Sequence, residues 1–326
     1  MTRQTTFETY LGQQKERGWA KTLAQVIPRI HEVDRNATQI WFAFWPLKLS
    51  IALAQSKDLD RTVKELQLDG RVQLEDQINT SIGFFFGARY WDSVKKGVLD
   101  YAESTLEPEV TSLENHILEL SRSVATKLKT DPGFLVGIST VALMLLRQVG
   151  SVSLSKAVNE SSLITNPRSA REQLKLLKSK RGLKKTLWWR SKKYRVTFDE
   201  GEPTAYYEAS EGQDLSMASS RDQRNFQKLD HRRIAGPVPA QCRSGACGYC
   251  WIGILAGREN LSEMTEFEKD RLEYFGYATR EQKSESHPPV RLACQSKCHG
   301  AISIVVPPWN GVLQTRGIVA AESSRV

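Results

Sequence analysis

Residues Cys242–Cys250 read CRSGACGYC, three cysteines and two glycines within nine positions. No cysteine precedes them, and only Cys294 and Cys298 follow. Five thiols, an odd number and clustered, do not make a disulfide framework. The opening MTRQTTFETYLGQQKERG has no apolar core of an export signal, which adds to that expectation. Metal ligation or redox chemistry is the better reading of such a loop.

Outward from the loop, the composition is that of an ordinary soluble globular protein. Of 326 residues, 40% are hydrophobic and 25% charged, enough chain for two or three domains. The longest apolar run, Gly133 to Leu146, has 14 residues, short of the roughly 20 that a bilayer needs. A second run, Ile40 to Ala54, is interrupted by Pro46 and Lys48. Both read as buried helices, and a cytoplasmic protein is expected, with contact at a membrane surface as the minority reading.

Charge is distributed unevenly. Arg168 to Arg195 carries 12 Lys and Arg against the single acid Glu172, whereas Met1 to Pro167 holds 19 basic and 19 acidic residues. Val196 to Val326 holds 15 basic and 17 acidic residues. The net charge of +9 therefore belongs to one connecting segment.

Periodicity changes across that segment. Before it, apolar residues recur at spacings of three and four, as in Val110, Leu113, Ile117, Leu120, Val124 and Leu128. After it, YRVTFDE and TAYYEAS alternate with period two around GEP, a hairpin pattern. CWIGILAG and AISIVVP read as further strands, and TEFEKDRLEYFG as a helix with Thr265 as its N-cap. The expected fold class is α+β. An all-helical domain over 1–167 is followed by a basic linker over 168–193, an α+β domain over 194–308 and a tail over 309–326.

The thiol spacing, Cys242-x4-Cys247-x2-Cys250 and then a distant Cys294, is the plant-type arrangement for a 2Fe-2S cluster. Three thiolates come from one tight loop and the fourth from a remote segment. Gly245 and Gly248 let the backbone curl closely and adopt positive φ, and loop amides can donate hydrogen bonds to sulfur. CRSGACGYC, RLACQ at Arg291–Gln295 and the closing AISIVVP together resemble 2Fe-2S ferredoxins of the β-grasp fold. ENLSEMTEFEKDRLE resembles the bacterial members of that family. The resemblance covers about a third of the chain. It implies a β-grasp ferredoxin-like domain in which Cys242, Cys247, Cys250 and Cys294 ligate the cluster. RDQRNFQKLDHRR before Cys242, and YATREQKSESHPP before RLACQ, depart from the compact family pattern.

Other readings compete. Cys247-x2-Cys250 with Cys294-x3-Cys298 would offer four thiolates to a structural zinc, but that leaves Cys242 and the glycines without a role. Cys298 reads as a small buried or partly exposed thiol near the cluster, with a ligand or redox role, such as substitution for a lost Cys294, as the alternative. His31 and His116 read as core or surface histidines, and the aromatic runs IWFAFWP and IGFFFGARYW as core. Trp188 and Trp189 among the lysines suit peripheral contact with an anionic membrane, against the alternative of a solvated tether. Nucleic acid is the less expected partner. Glu259, Glu263, Glu266, Glu268, Asp270 and Glu273 make a segment rich in acids, which in ferredoxins often meets a basic reductase; a solvated helix face is the equal alternative.

The function expected from these readings is electron transfer, with single electrons carried on a 2Fe-2S cluster at a low potential, on the order of −400 mV. No G-x-G-x-x-G or G-x-x-x-x-G-K-[ST] motif supplies a second cofactor. The chain is thus expected to be a non-enzymatic carrier or the electron-transfer component of an oxidoreductase system, served by a reductase and an acceptor. The helical domain would dock a partner or form a homo-oligomer. The competing function is a redox sensor, whose cluster state would control binding of the helical domain or basic linker to a partner, lipid or nucleic acid.

Overall fold

Caps and breakers cut the first part of the chain into helices. In the computed structural model, which describes residues 4–66, 68, 73–160, 169–181, 192–277 and 285–308, α1 spans Thr6–Gln13. A capping box starts it, with Thr5 Oγ1 accepting from the Glu8 N–H and Glu8 Oε2 accepting from the Thr5 N–H. Helix α2 (Glu16–Val26) runs into a 3-10 turn at Pro28, and α3 (Glu32–Phe44) stops before Pro46. Proline cannot continue a helix, so the Ile40–Ala54 run is divided, and α4 (Leu47–Ala54) begins after the break. Helix α5 covers Leu59–Glu65 and α6 covers Trp91–Ser104.

Helix α7 spans Leu113–Leu128, and the apolar stripe expected from Val110 begins three residues later than the periodicity suggests. Ser112 caps the helix, so Val110 falls in a preceding 3-10 turn and is 77% exposed. Leu113, Ile117, Leu120 and Val124 are buried as the stripe requires. Helix α8 spans Gly133–Asn159, broken at Gly150 by a left-handed φ of 78°. Residues 135–146 of α8 are buried, with α3, α6 and α7 packed against it. Its length and composition are sufficient to cross a membrane; in this fold it is the central helix of a helical unit.

The chain divides into two compact units, Met1–Ala54 with Gln73–Asn166, and Gln55–Val72 with Pro167–Val326. Every described element of the first is helical. In the second, α9 (Ala170–Arg181) occupies the first half of the basic segment. Ser169 and Glu172, the segment's one acid, cap it reciprocally. Trp188, Trp189 and the tail 309–326 lie outside the described residues, as does the part 278–284 of the second departure.

The period-two stretches form a five-stranded mixed sheet: β1 (Lys193–Thr197), β2 (Tyr206–Ser210), β3 (Trp251–Ala256), β4 (Val290–Leu292) and β5 (Ile302–Val305). The strand order is β2-β1-β5-β3-β4, with β1 and β5 parallel and the other pairs antiparallel. The expected hairpin is β1 with β2, in register from Lys193 opposite Ser210 to Thr197 opposite Tyr206. β3 is buried along nearly its whole length, so it alternates little in polarity. Short α10 (Leu215–Ser219) packs on β2, and α11 (Glu266–Tyr274) contacts β4. The overall class is α+β, helices first and a mixed sheet after them.

Candidate metal centre

Residues 242–250 form the loop that leads directly into β3. Its shape depends on three residues with left-handed backbone: Arg243 at φ 56°, Gly245 at 81° and Gly248 at 66°. Glycine is needed at the last two for space as well as for φ. A Cβ on Gly245 would lie 2.7 Å from Phe267, and one on Gly248 would lie 2.8 Å from Phe275. Both aromatic rings belong to α11 or its C-cap, so the loop rests against this helix. Arg271 of α11 adds a hydrogen bond from its guanidinium to the Ala246 carbonyl.

The distal thiol reaches the loop through the sheet. β3 pairs with β4, Trp251 opposite Leu292, and the Ala293 N–H donates to the Cys250 carbonyl at 3.0 Å. This places Cys250 and Cys294 near each other, close enough for each thiol to influence the other's ionisation. A Cβ on Gly245 would also lie 3.4 Å from the Gln295 side chain, so the distal segment packs against the middle of the loop.

The four expected ligands thus gather as two pairs. In the first, the Cys247 N–H donates to Cys242 Sγ at 3.4 Å, and so does the Ser244 N–H, also at 3.4 Å. In the second, Gln295 Nε2 donates to Cys294 Sγ at 3.5 Å. The Tyr249 N–H donates to Cys247 Sγ at 3.4 Å. Cys242 is exposed, Cys247 half-buried, and Cys250 and Cys294 are buried.

Electrostatics separate the thiols. Burial pushes Cys242 up, but hydrogen bonds from Ser244 and Cys247 outweigh it and bring the thiol down to about 6. Cys247 is raised by burial and by its contact with Cys242. Within the buried pair, the interaction between the two thiols raises Cys250 and lowers Cys294. In each pair one thiol, Cys242 or Cys294, is shifted toward the thiolate that a metal requires.

Among the described residues, no group of three or more His, Cys, Asp or Glu side chains could hold a single metal ion. A zinc bound by four thiolates needs such convergence on one point. A 2Fe-2S cluster would make a different demand, two pairs of thiolates instead of four converging on one point, with inorganic sulfide supplying the remaining ligands.

Cys298 stands apart from the pairs. It is fully buried, its thiol donates to the Gly300 carbonyl at 3.2 Å, and burial pushes it up to about 11. Its backbone exchanges hydrogen bonds with Gly212 and Gln213. The histidines of the helical unit are structural: His31 Nδ1 caps α3, and buried His116 lies between Tyr101 Oη and the Pro108 carbonyl, 2.8 Å from each.

Sequence reasoning missed the part played by α11. Glu268, counted among the acids available to a reductase, is wholly buried and paired with Arg291. Its signal was present in Arg291, a charge between apolar neighbours in VRLAC, which in a buried strand demands a counter-charge. No family model matches the chain, and no curated protein or solved structure does either.

Proposed function

We propose that this protein is an electron carrier of the β-grasp 2Fe-2S ferredoxin type, with the cluster held by Cys242, Cys247, Cys250 and Cys294. The observation that carries the reading is the grouping of these thiols into two pairs around a loop whose N–H groups point at sulfur. Bound there, the cluster supplies a one-electron redox couple. The chain's own residues do the rest. The pair Cys242 and Cys247 and the pair Cys250 and Cys294 would together hold the cluster. Backbone donors from Ser244, Cys247 and Tyr249, with the Gln295 amide, stabilise negative charge on sulfur and so tune the potential.

Exposure sets the direction of electron exit. Cys242 is exposed while Cys250 and Cys294 are buried, so a redox partner approaches over residues 241–244, all exposed. The helical unit is the docking or oligomerisation module in this reading.

Anaerobic reconstitution of the full chain with iron and sulfide tests the proposal. The expected product holds iron and acid-labile sulfide in equal amounts, with visible charge-transfer absorption and an EPR signal on one-electron reduction. Protein that binds zinc and takes up neither iron nor sulfide would overturn it.

A further inference from the structure

Trp251 opens β3 directly after Cys250 and is fully buried. Its ring is held on two sides, edge-on to Phe275 with centroids 5.4 Å apart and tilted against Tyr277 at 4.8 Å. Its Nε1 has no hydrogen-bond partner. An indole N–H shut away from water and left unpaired carries the full desolvation cost of the group, and such donors call for an explanation.

Place and surroundings supply one. A Cβ on Gly248 would lie 3.0 Å from Trp251 Nε1, so the nitrogen packs against the glycine that follows Cys247 in the cysteine loop. The indoles of Trp19 and Trp41 are also unpaired, but they belong to the helical unit, far along the chain from any thiol. Around Trp251, by contrast, the N–H groups of Ser244, Cys247 and Tyr249 all donate to sulfur.

We infer that Trp251 Nε1–H is a hydrogen-bond donor reserved for the sulfur atoms that the cysteine loop assembles, and that it raises their reduction potential. This rests on the 2Fe-2S reading above. Reduction adds one electron from the partner reductase and neither makes nor breaks a bond. The added charge falls partly on sulfur, so a donor that reaches it stabilises the reduced state more than the oxidised one. Trp251 is then a tuning residue, with Phe275 and Tyr277 fixing the ring.

The test is a redox titration of the reconstituted full chain, wild type against Trp251→Phe. A second variant carries β-(3-benzothienyl)alanine at position 251, which keeps the ring shape, replaces N–H by sulfur and guards against a fold that Phe cannot support. Expected are unchanged iron and sulfide contents and a more negative midpoint potential in both variants. A benzothienyl variant with an intact cluster and the wild-type potential overturns the inference, even if the Phe variant shifts, because packing alone then explains the shift. A wild type that takes up no iron overturns the cluster reading and this inference together, so the two failures are distinguishable.

Discussion

The Glu268 carboxylate and the Arg291 guanidinium meet in a two-point pair, Nε to Oε1 and Nη2 to Oε2, both at 2.9 Å, with neither side chain exposed to any degree. Glu268 Oε1 also accepts from the Leu292 N–H at 2.8 Å, and Arg291 Nη1 donates to the Ser262 carbonyl. The pair bolts α11 to β4, the strand that delivers Cys294. Thr265 caps α11 by accepting from the Glu268 N–H, yet the Glu268 side chain turns inward to Arg291 instead of back to the cap. Glu266, by contrast, is exposed and pairs with Lys269 at 2.6 Å.

Removing one partner leaves a buried charge without compensation. Glu268→Ala and Arg291→Ala are each expected to destabilise the protein by about 3–5 kcal/mol. Replacing both by apolar residues of similar volume is expected to recover most of the loss. Denaturant unfolding of the four proteins checks this, and single variants as stable as wild type would show that the pair contributes nothing.

The division of the thiols sets apart four cysteines from the fifth. Cys242→Ser, Cys247→Ser, Cys250→Ser and Cys294→Ser should each lose the visible absorbance of the reconstituted protein, while Cys298→Ser should keep it. Cys298 is tied to Gly300 and to the backbone of Gly212 and Gln213, so it does not replace Cys294. Retained cluster absorbance in Cys294→Ser would contradict this.

In the metal-free protein the thiols should react in a fixed order. Cys242, held down at about 6 and exposed, is mostly thiolate at neutral pH and should be alkylated first by iodoacetamide. Its rate should fall as pH drops below 6. Cys298, pushed up to about 11 and buried, should react only on unfolding. The linkage has a definite sign: a depressed thiol contributes stability above its unfolded range, and that contribution is lost as pH falls through about 6. Peptide mapping of alkylated sites at pH 5, 7 and 9 reads all three.

Gly97 tests the helical unit. It lies on α6, where an added Cβ would come within 2.5 Å of Val124 Cγ2 on α7. Alanine would gain about 1 kcal/mol in helix propensity, but overpacking against a stiff β-branched side chain costs about 1–3 kcal/mol. Gly97→Ala is therefore expected to lower the thermal midpoint. A raised midpoint would mean that the two helices separate easily.

Much of the fold was legible because it depends on local rules. Pro46 divides α3 from α4, Thr265 starts α11, and alternation marks β1, β2 and β5 as strands. Val110 misled because spacing alone cannot tell a helix from the turn before its cap. β4 was read only as the flank of a cysteine, since three residues carry too little periodicity to announce a strand.

The cysteine loop was legible for the same local reason: the spacing of its thiols and the placing of Gly245 and Gly248 are properties of nine consecutive residues. Arg291 and Glu268 lie 23 residues apart, and nothing local links them. Likewise, only the sheet brings Cys294 beside Cys250, and only the packing of Phe275 and Tyr277 leaves the Trp251 N–H facing Gly248. Short-range sequence sets backbone conformation and the types of donor available. Which donors meet, and which charge is buried, follows from long-range packing, where burial turns a surface acid such as Glu268 would have been into a strut beneath the loop.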